Sequence, residues 1–331
     1  MIFKKIVNKI VSFSNFLGNN AFLEIENLNN LSVSKEVVIF SVGWGTYLDN
    51  FFKYTLPSLL HKSNVPDLES AGFKVSIKLY SIDSVEKIKN KYKSELDSLQ
   101  PYDFNIFFIE KKNKKVQEIL LEAILKNFQY CINKKSIMCM AMPDLIFCNY
   151  SLLNSVLFVF SKRKGLAAPH PRINTNIFRD YKNYPENGFT SAEAVSYAFK
   201  NPHSSFKLAN EDLTENTVYG GISYKKLSKN LYAICSNLPS PWVIIPTKED
   251  VNFFKTSGKF VDWDRGWLTL LLKKNRIKVC GSSDMFFCME ITEESKNTKV
   301  KPIKVKHPWR DLYSEAFSNR LCNSYITIWR E

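Results

Sequence analysis

Asp144 is the carboxylate in this sequence with the clearest chemical placement. It follows the apolar run Ser136-Ile-Met-Cys-Met-Ala-Met142 and then Pro143, which stops strand pairing. A carboxylate beside a core is costly unless it finds a partner. At a strand end it can hold a divalent cation or accept hydrogen bonds from sugar hydroxyls; the plainer alternative is a turn or cap ahead of the next helix. Further on, Pro169-His170-Pro171-Arg172 displays an imidazole and a guanidinium on a loop stiffened by two prolines. Arginine suits phosphate oxygens, and histidine serves as general base or metal ligand, although a merely rigid surface loop would carry the same residues. Asp262-Trp263-Asp264 sets two carboxylates around an aromatic ring. A sugar face stacks on such a ring while one carboxylate deprotonates a hydroxyl, or the segment is an acidic turn with Trp263 in the core. Asp284 is a further candidate, and His307, beside Pro308 and Trp309, could return as a late ligand.

Two more positions belong to this set. Ser41-Val-Gly43-Trp44-Gly45 follows an apolar run; the glycines allow close backbone approach and Trp44 offers a flat face for a base or sugar ring. The segment is neither GxGxxG nor a P-loop, and a tight structural turn explains it as well. Asp83 ends a polar-apolar alternation, where it can accept hydrogen bonds from a nucleoside or cap the next helix with Glu86 completing a capping box.

The elements that must position these residues are legible as an alternation. Glu36 to Val42 reads as a buried strand, followed by a helix through Phe51, Phe52 and Leu56 to Leu60. Strands from Lys74, at Asn105 to Ile109 and from Ser136 to Met142 alternate with helices from Val85 to Leu99, Lys114 to about Cys131 and Leu152 to Phe160. Later come a strand at Gly165, a helix near Ser191 to Phe199, a Gly220-Gly221 turn, a strand at Trp242, a helix from Trp267 to Lys273 and a strand at Ile277. Such alternation predicts a largely parallel sheet with helices on its faces. In open sheets of this kind ligands bind beyond the carboxyl ends of the strands, which is where Ser41 to Gly45, Asp83, Asp144 and His170 to Arg172 fall.

The 331 residues are 45% hydrophobic, which excludes disordered and fibrous classes. The formal charge of +14 draws nucleic acid, anionic lipid or phosphorylated ligands. The lysines are dispersed and no nucleic-acid-binding motif is present, which argues against nucleic acid. Seven cysteines, none closer than eight residues apart, give no zinc spacing and fit buried thiols in a reducing cytoplasm. No apolar run is long enough to cross a membrane. Residues 1–17 place Ile2, Phe3, Ile6, Val7, Ile10 and Val11 opposite Lys4, Lys5 and Lys9; this basic amphipathic helix suits an anionic membrane surface or packing on its own domain.

With these residues in hand, the chain resembles bacterial GT-A glycosyltransferases of surface-polysaccharide clusters. Val38 to Asp49 looks like their first strand and donor loop, Leu56 to Leu60 with Asn64-Val65-Pro66 is similar to the helix and turn that follow, and Met142 to Ile146 stands where they carry Asp-x-Asp. Met142 replaces the first of those carboxylates. The resemblance spans roughly residues 36 to 290. It implies a GT-A-like, Rossmann-type mixed and mainly parallel sheet with helices on both faces, and helical N- and C-terminal extensions. Residues 1–30 are then an amphipathic segment, 31–290 the catalytic domain and 291–331 a linker and tail. It further implies transfer of a sugar from a nucleotide-sugar donor to a carbohydrate or lipid-linked saccharide acceptor, in the cytoplasm or on the inner membrane face. Asp144, Asp262, Asp264 and His170 are its catalytic candidates, and Ser41, Gly43, Trp44, Gly45, Asp83 and Arg172 its donor-binding ones. Asp144 is the candidate ligand for Mg or Mn, while Arg172 with neighbouring lysines would neutralise a diphosphate without a cation. A sugar nucleotidyltransferase, a basic nucleic-acid-binding protein and a transferase-like domain that only binds carbohydrate are the competing readings.

Overall fold

An unbroken apolar run such as Val37-Val-Ile-Phe40 is stable as a strand only where both of its faces are covered. In the computed structural model this run forms β1 (Glu36–Val42), with Val37 and Ile39 in one core and Val38, Phe40 and Val42 in another. The structure describes residues 33–175, 186–210, 217–218, 222–236, 240–256, 266–293, 303–304 and 326–331.

After β1 come α1 (Thr46–Asn50), a π-helical turn (Phe51–Thr55), α2 (Leu56–Leu60), α3 (Val65–Ser70), β2 (Lys74–Ser81), α4 (Val85–Lys91), α5 (Lys93–Asp97) and β3 (Asp103–Phe108). Then follow α6 (Val116–Lys134), β4 (Ile137–Met140), β5 (Leu145–Phe147), α7 (Ser151–Lys162), β6 (Gly165–Ala167), β7 (Arg172–Asn174), α8 (Ser191–Lys200) and α9 (Ser204–Lys207). The later elements are β8 (Thr217–Val218), β9 (Ile222–Ser228), β10 (Leu231–Ser236), β11 (Trp242–Ile244), α10 (Lys248–Thr256), α11 (Gly266–Lys273), β12 (Ile277–Val279), β13 (Cys288–Thr292), β14 (Ile303–Lys304) and β15 (Ile326–Arg330).

The central sheet has seven strands in the order β12-β6-β11-β4-β1-β2-β3, all parallel to their neighbours except β11, which runs antiparallel to β4 and β6. The expected mainly parallel mixed sheet with helices on both faces is therefore present. One face packs against α2, α3 and α7, the other against α6, α10 and α11. Helix α6 shows why: Ile119, Ala123, Ile124, Phe128 and Cys131 recur at helical spacing and are buried, while Glu118 accepts a hydrogen bond from the Lys115 N–H and closes its first turn.

The chain lays down β1, β2 and β3 outward on one side, then returns to place β4 on the other side of β1. In open sheets ligands bind in the crevice outside the carboxyl ends of the strands at such a reversal point, here β1 and β4. A second sheet, β5-β13-β7, stands beyond it, so the Pro143-Asp144 link carries the chain from the first sheet to the second.

The second sheet shares a third core with a sheet of order β15-β10-β9, rich in stacked aromatics. The predicted helix from Val85 to Leu99 is interrupted at Tyr92, and the described end of the C-terminal extension is a strand where helix was expected. Its Ile328 and Trp329 pair with Ala233 and Tyr232, which a reading of local pattern alone does not reveal. Residues 1–32, Gly220-Gly221, Asp262 to Asp264 and His307 lie outside the described residues.

Trp329 is fully buried, with its ring 5.0 Å from that of Phe287. Substitution Trp329→Ala should cost ~3–5 kcal/mol in urea unfolding; a loss under about 1 kcal/mol would mean that β15 is not part of the folding unit.

Candidate functional site

Gly43 and Gly45 do different work at the end of β1. A Cβ on Gly43 would lie 3.2 Å from Cβ of Pro143, so the glycine lets the β1 and β4 loops meet. Gly45 has φ +55 with nothing within 4 Å of a Cβ, so its requirement is conformational. Its N–H donates to Oδ2 of Asp83 at 3.1 Å, which ties the β1 loop to the end of β2. The expected Asp83–Glu86 capping box is replaced: Ser84 caps α4 by accepting from the Lys87 N–H, and Asp83 turns to the β1 loop. Trp44 is half-buried against the second core, while Ser41 is buried within β1 beneath the loop.

Across the crevice, Asp144 is half-buried and its carbonyl accepts from the Ile291 N–H at 2.8 Å, which docks the β4 exit onto β13. The residue before Ile291 is Glu290, 6% exposed. Register pairs Glu290 with Arg172 on β7, and their side chains meet: Arg172 Nε donates to Oε1 at 2.9 Å. Thr292 Oγ1 donates to the same oxygen at 2.9 Å, and His170 Nε2 donates to Oε2 at 2.7 Å. The other ring nitrogen of His170 faces the carbonyl of Ser240, just ahead of the antiparallel strand β11. Both ring nitrogens of His170 are thus engaged.

Burial alone would push the Glu290 carboxyl up, but the Arg172 charge and the His170 hydrogen bond hold it well below the usual carboxylate range. Glu290 in turn raises Arg172, which also feels Asp144 and Tyr47. Partial burial, then Asp144 and Glu290, push the Tyr47 phenol up. These shifts place Arg172, Asp144 and Tyr47 within one another's field.

The predicted residues thus sort into groups. Gly43, Gly45 and Asp83 share the β1–β2 side, and Asp144, His170 and Arg172 the β4–β7 side; the two sides touch at Gly43 and Pro143. Asp284 lies elsewhere, accepting from Ser191 Oγ at the start of α8 at 3.2 Å. Glu290 and Tyr47 escape the sequence reading. A signal for Glu290 exists: it is a lone carboxylate in the apolar run Phe286 to Ile291, the same argument that singled out Asp144. Tyr47 has no such signal.

Around Asp144 the described donors are one carboxylate, an arginine, and a histidine and glutamate already bonded to each other. Among the described residues no group of three His, Cys, Asp or Glu side chains could hold a metal ion. This donor set does not fit a divalent cation, which asks for several oxygen ligands.

No family model and no curated protein matches the chain. Among solved structures it is similar to GalNAc-T7 with UDP, GalNAc and Mn2+, at 12% identity and a TM-score of 0.44, over 81% of this chain and 45% of that one. The chain thus spans under half the length of that protein. Among the described residues no helix is long and apolar enough to cross a membrane.

Removing one partner from a buried ion cluster is costly, so Glu290→Gln should destabilise the fold by ~3–5 kcal/mol near neutral pH. The folded carboxyl titrates below its unfolded value of about 4.3, so its stabilisation is complete above that pH and is lost as pH falls below it. Urea unfolding across pH should show the gap between wild type and variant narrow in acid; a constant gap would contradict the ion cluster.

Proposed function

We propose that this protein transfers a sugar from a nucleotide-sugar donor to a carbohydrate or lipid-linked saccharide acceptor, as in bacterial surface-polysaccharide synthesis. The observation that carries the reading is the crevice at the sheet's reversal point, where Arg172, held by a buried carboxylate, stands in the field of Asp144. In transfer from a nucleoside diphosphate sugar, the bond between the anomeric carbon and the diphosphate oxygen breaks and negative charge grows on the phosphates. A cation fixed in place stabilises that charge without reorganising during the step. Glu290 takes the Nε edge of Arg172, and a guanidinium carries further N–H donors on its two terminal nitrogens for phosphate oxygens.

Asp83 and the Gly43–Gly45 loop form the nucleoside side of this reading, with Trp44 beside them. Asp144 accepts hydrogen bonds from the donor sugar. Asp262 and Asp264 are the candidate acceptor-side bases, one of which would take the proton from the attacking hydroxyl. His170, with both nitrogens engaged, orients Glu290 in preference to proton transfer. The reading includes a cytoplasmic enzyme at the inner membrane face, held there in part by residues 1–17. In this reading Arg172, and not a divalent cation at Asp144, neutralises the diphosphate.

Thermal unfolding in the presence of UDP-, GDP-, CMP- and dTDP-sugars, with Mg²⁺, Mn²⁺ or EDTA, tests this. One donor class should raise the midpoint, by the equivalent of about 2.7 kcal/mol at a hundredfold excess over Kd, and Asp144→Asn should weaken the effect. No response to any nucleotide sugar, alongside salt-sensitive oligonucleotide binding, would overturn the proposal.

A further inference from the structure

Three of the large apolar side chains left in water lie at the open edge of the central sheet, at the end of β3 and the start of α6. Phe107 and Phe108, 38% and 50% exposed, end β3, and Val116, 51% exposed, opens α6. Strand β3 is an edge of the seven-stranded sheet, and Phe108 is in register with Ser81 at the carboxyl end of β2. The cluster therefore lies on the crevice's edge of the sheet, two strand spacings or about 10 Å from β1.

Alternation along β3 puts Phe104, Ile106 and Phe108 on one face, the first two against the core shared with α2 and α7. Beside them a groove of about 720 Å³ runs between α4, α5 and β3, with Val85, Leu99, Phe104 and Ile106 in its lining. Lys89 and Lys93, four residues apart, also line it, against a single carboxylate, Asp97. Neighbouring lysines are paired: Lys91 with Asp49, Lys112 with Glu110 and Lys114 with Glu122. Lys89, Lys93 and Lys111 have no ion-pair partner among the described residues.

We propose that this edge of the sheet docks end-on against an anionic lipid bilayer, with Lys89, Lys93 and Lys111 meeting lipid phosphates and Phe107, Phe108 and Val116, from either side of the end of β3, entering the interfacial layer. Exposed aromatics beside flexible, unpaired lysines suit a surface of mobile negative charge, where each lysine near the surface adds to binding. A second copy suits it less well, because two-fold pairing of this face would set the same lysines against each other. Docked there, the carboxyl ends of β1 to β3 would lie within reach of the headgroups. The proposal does not depend on the glycosyl-transfer reading, so either can fail without the other.

Flotation of the full chain with phosphatidylcholine vesicles, with and without phosphatidylglycerol, tests it. Binding should require phosphatidylglycerol and fall with added salt. Each lysine is worth roughly a fivefold factor, so Lys89→Gln with Lys93→Gln should lose about 25-fold. Phe108→Ser should also weaken binding, with circular dichroism unchanged in both variants because these side chains are exposed. No binding to anionic vesicles, or full binding by both variants, would overturn the proposal. So would a dimer that Phe108→Ser dissociates, or a preference for an oligonucleotide over the vesicles.

Discussion

A carboxylate taken out of water must either find opposite charge or give up its own, and Glu290 is a buried carboxylate under that constraint. It stands on β13 at the centre of a three-stranded sheet, and its charge survives because Arg172 and His170 reach it from β7 and the loop before it. The requirement runs both ways. Arg172 and His170 are held in place by the carboxylate they bond, and the ring of His170 is further fixed by the Ser240 carbonyl. A guanidinium that would otherwise sample many rotamers is thereby held in one orientation, the preorganisation that the proposed stabilisation of developing charge needs.

The sheet topology explains why this cluster faces the β1 loop at all. The chain reverses after β3 and inserts β4 beside β1, so the exits of those two strands stand side by side at the reversal point. Gly43 and Pro143 bring the two exits into close approach. The Asp144 carbonyl then docks on Ile291, so the backbone that carries Glu290 is fixed to the backbone that carries Asp144. On the far side the Gly45 amide, held by Asp83, links the first strand exit to the second. Local hydrogen bonds, each modest, thus set the spacing of charged groups that come from distant parts of the chain.

Much of this was legible in the sequence where the signal is local. The apolar runs at Val37 and Ile137 and the helical spacing around Ile119 gave the central sheet and its covering helices. The rule that ligands sit beyond strand ends picked out Gly43, Asp83, Asp144 and Arg172. What was not legible depends on pairing between segments far apart. Strand β15 needs β10, and β13 needs both β5 and β7, before either buries its apolar face. Glu290 acquires its meaning only when β7 lies beside it. Asp83 reads equally as cap or ligand from sequence, whereas in the fold Ser84 takes the cap and Asp83 holds the Gly45 amide.

The central claim is that Arg172, held by Glu290, is the group that meets a nucleotide diphosphate. Calorimetric titration of UDP, GDP and dTDP into the wild type and Arg172→Ala in EDTA tests it most directly. The account predicts that one nucleotide binds the wild type and that the variant, still folded, binds it about tenfold to a hundredfold more weakly, the worth of a charge-assisted hydrogen bond. Equal affinity in wild type and variant, or no binding by the wild type, would contradict it.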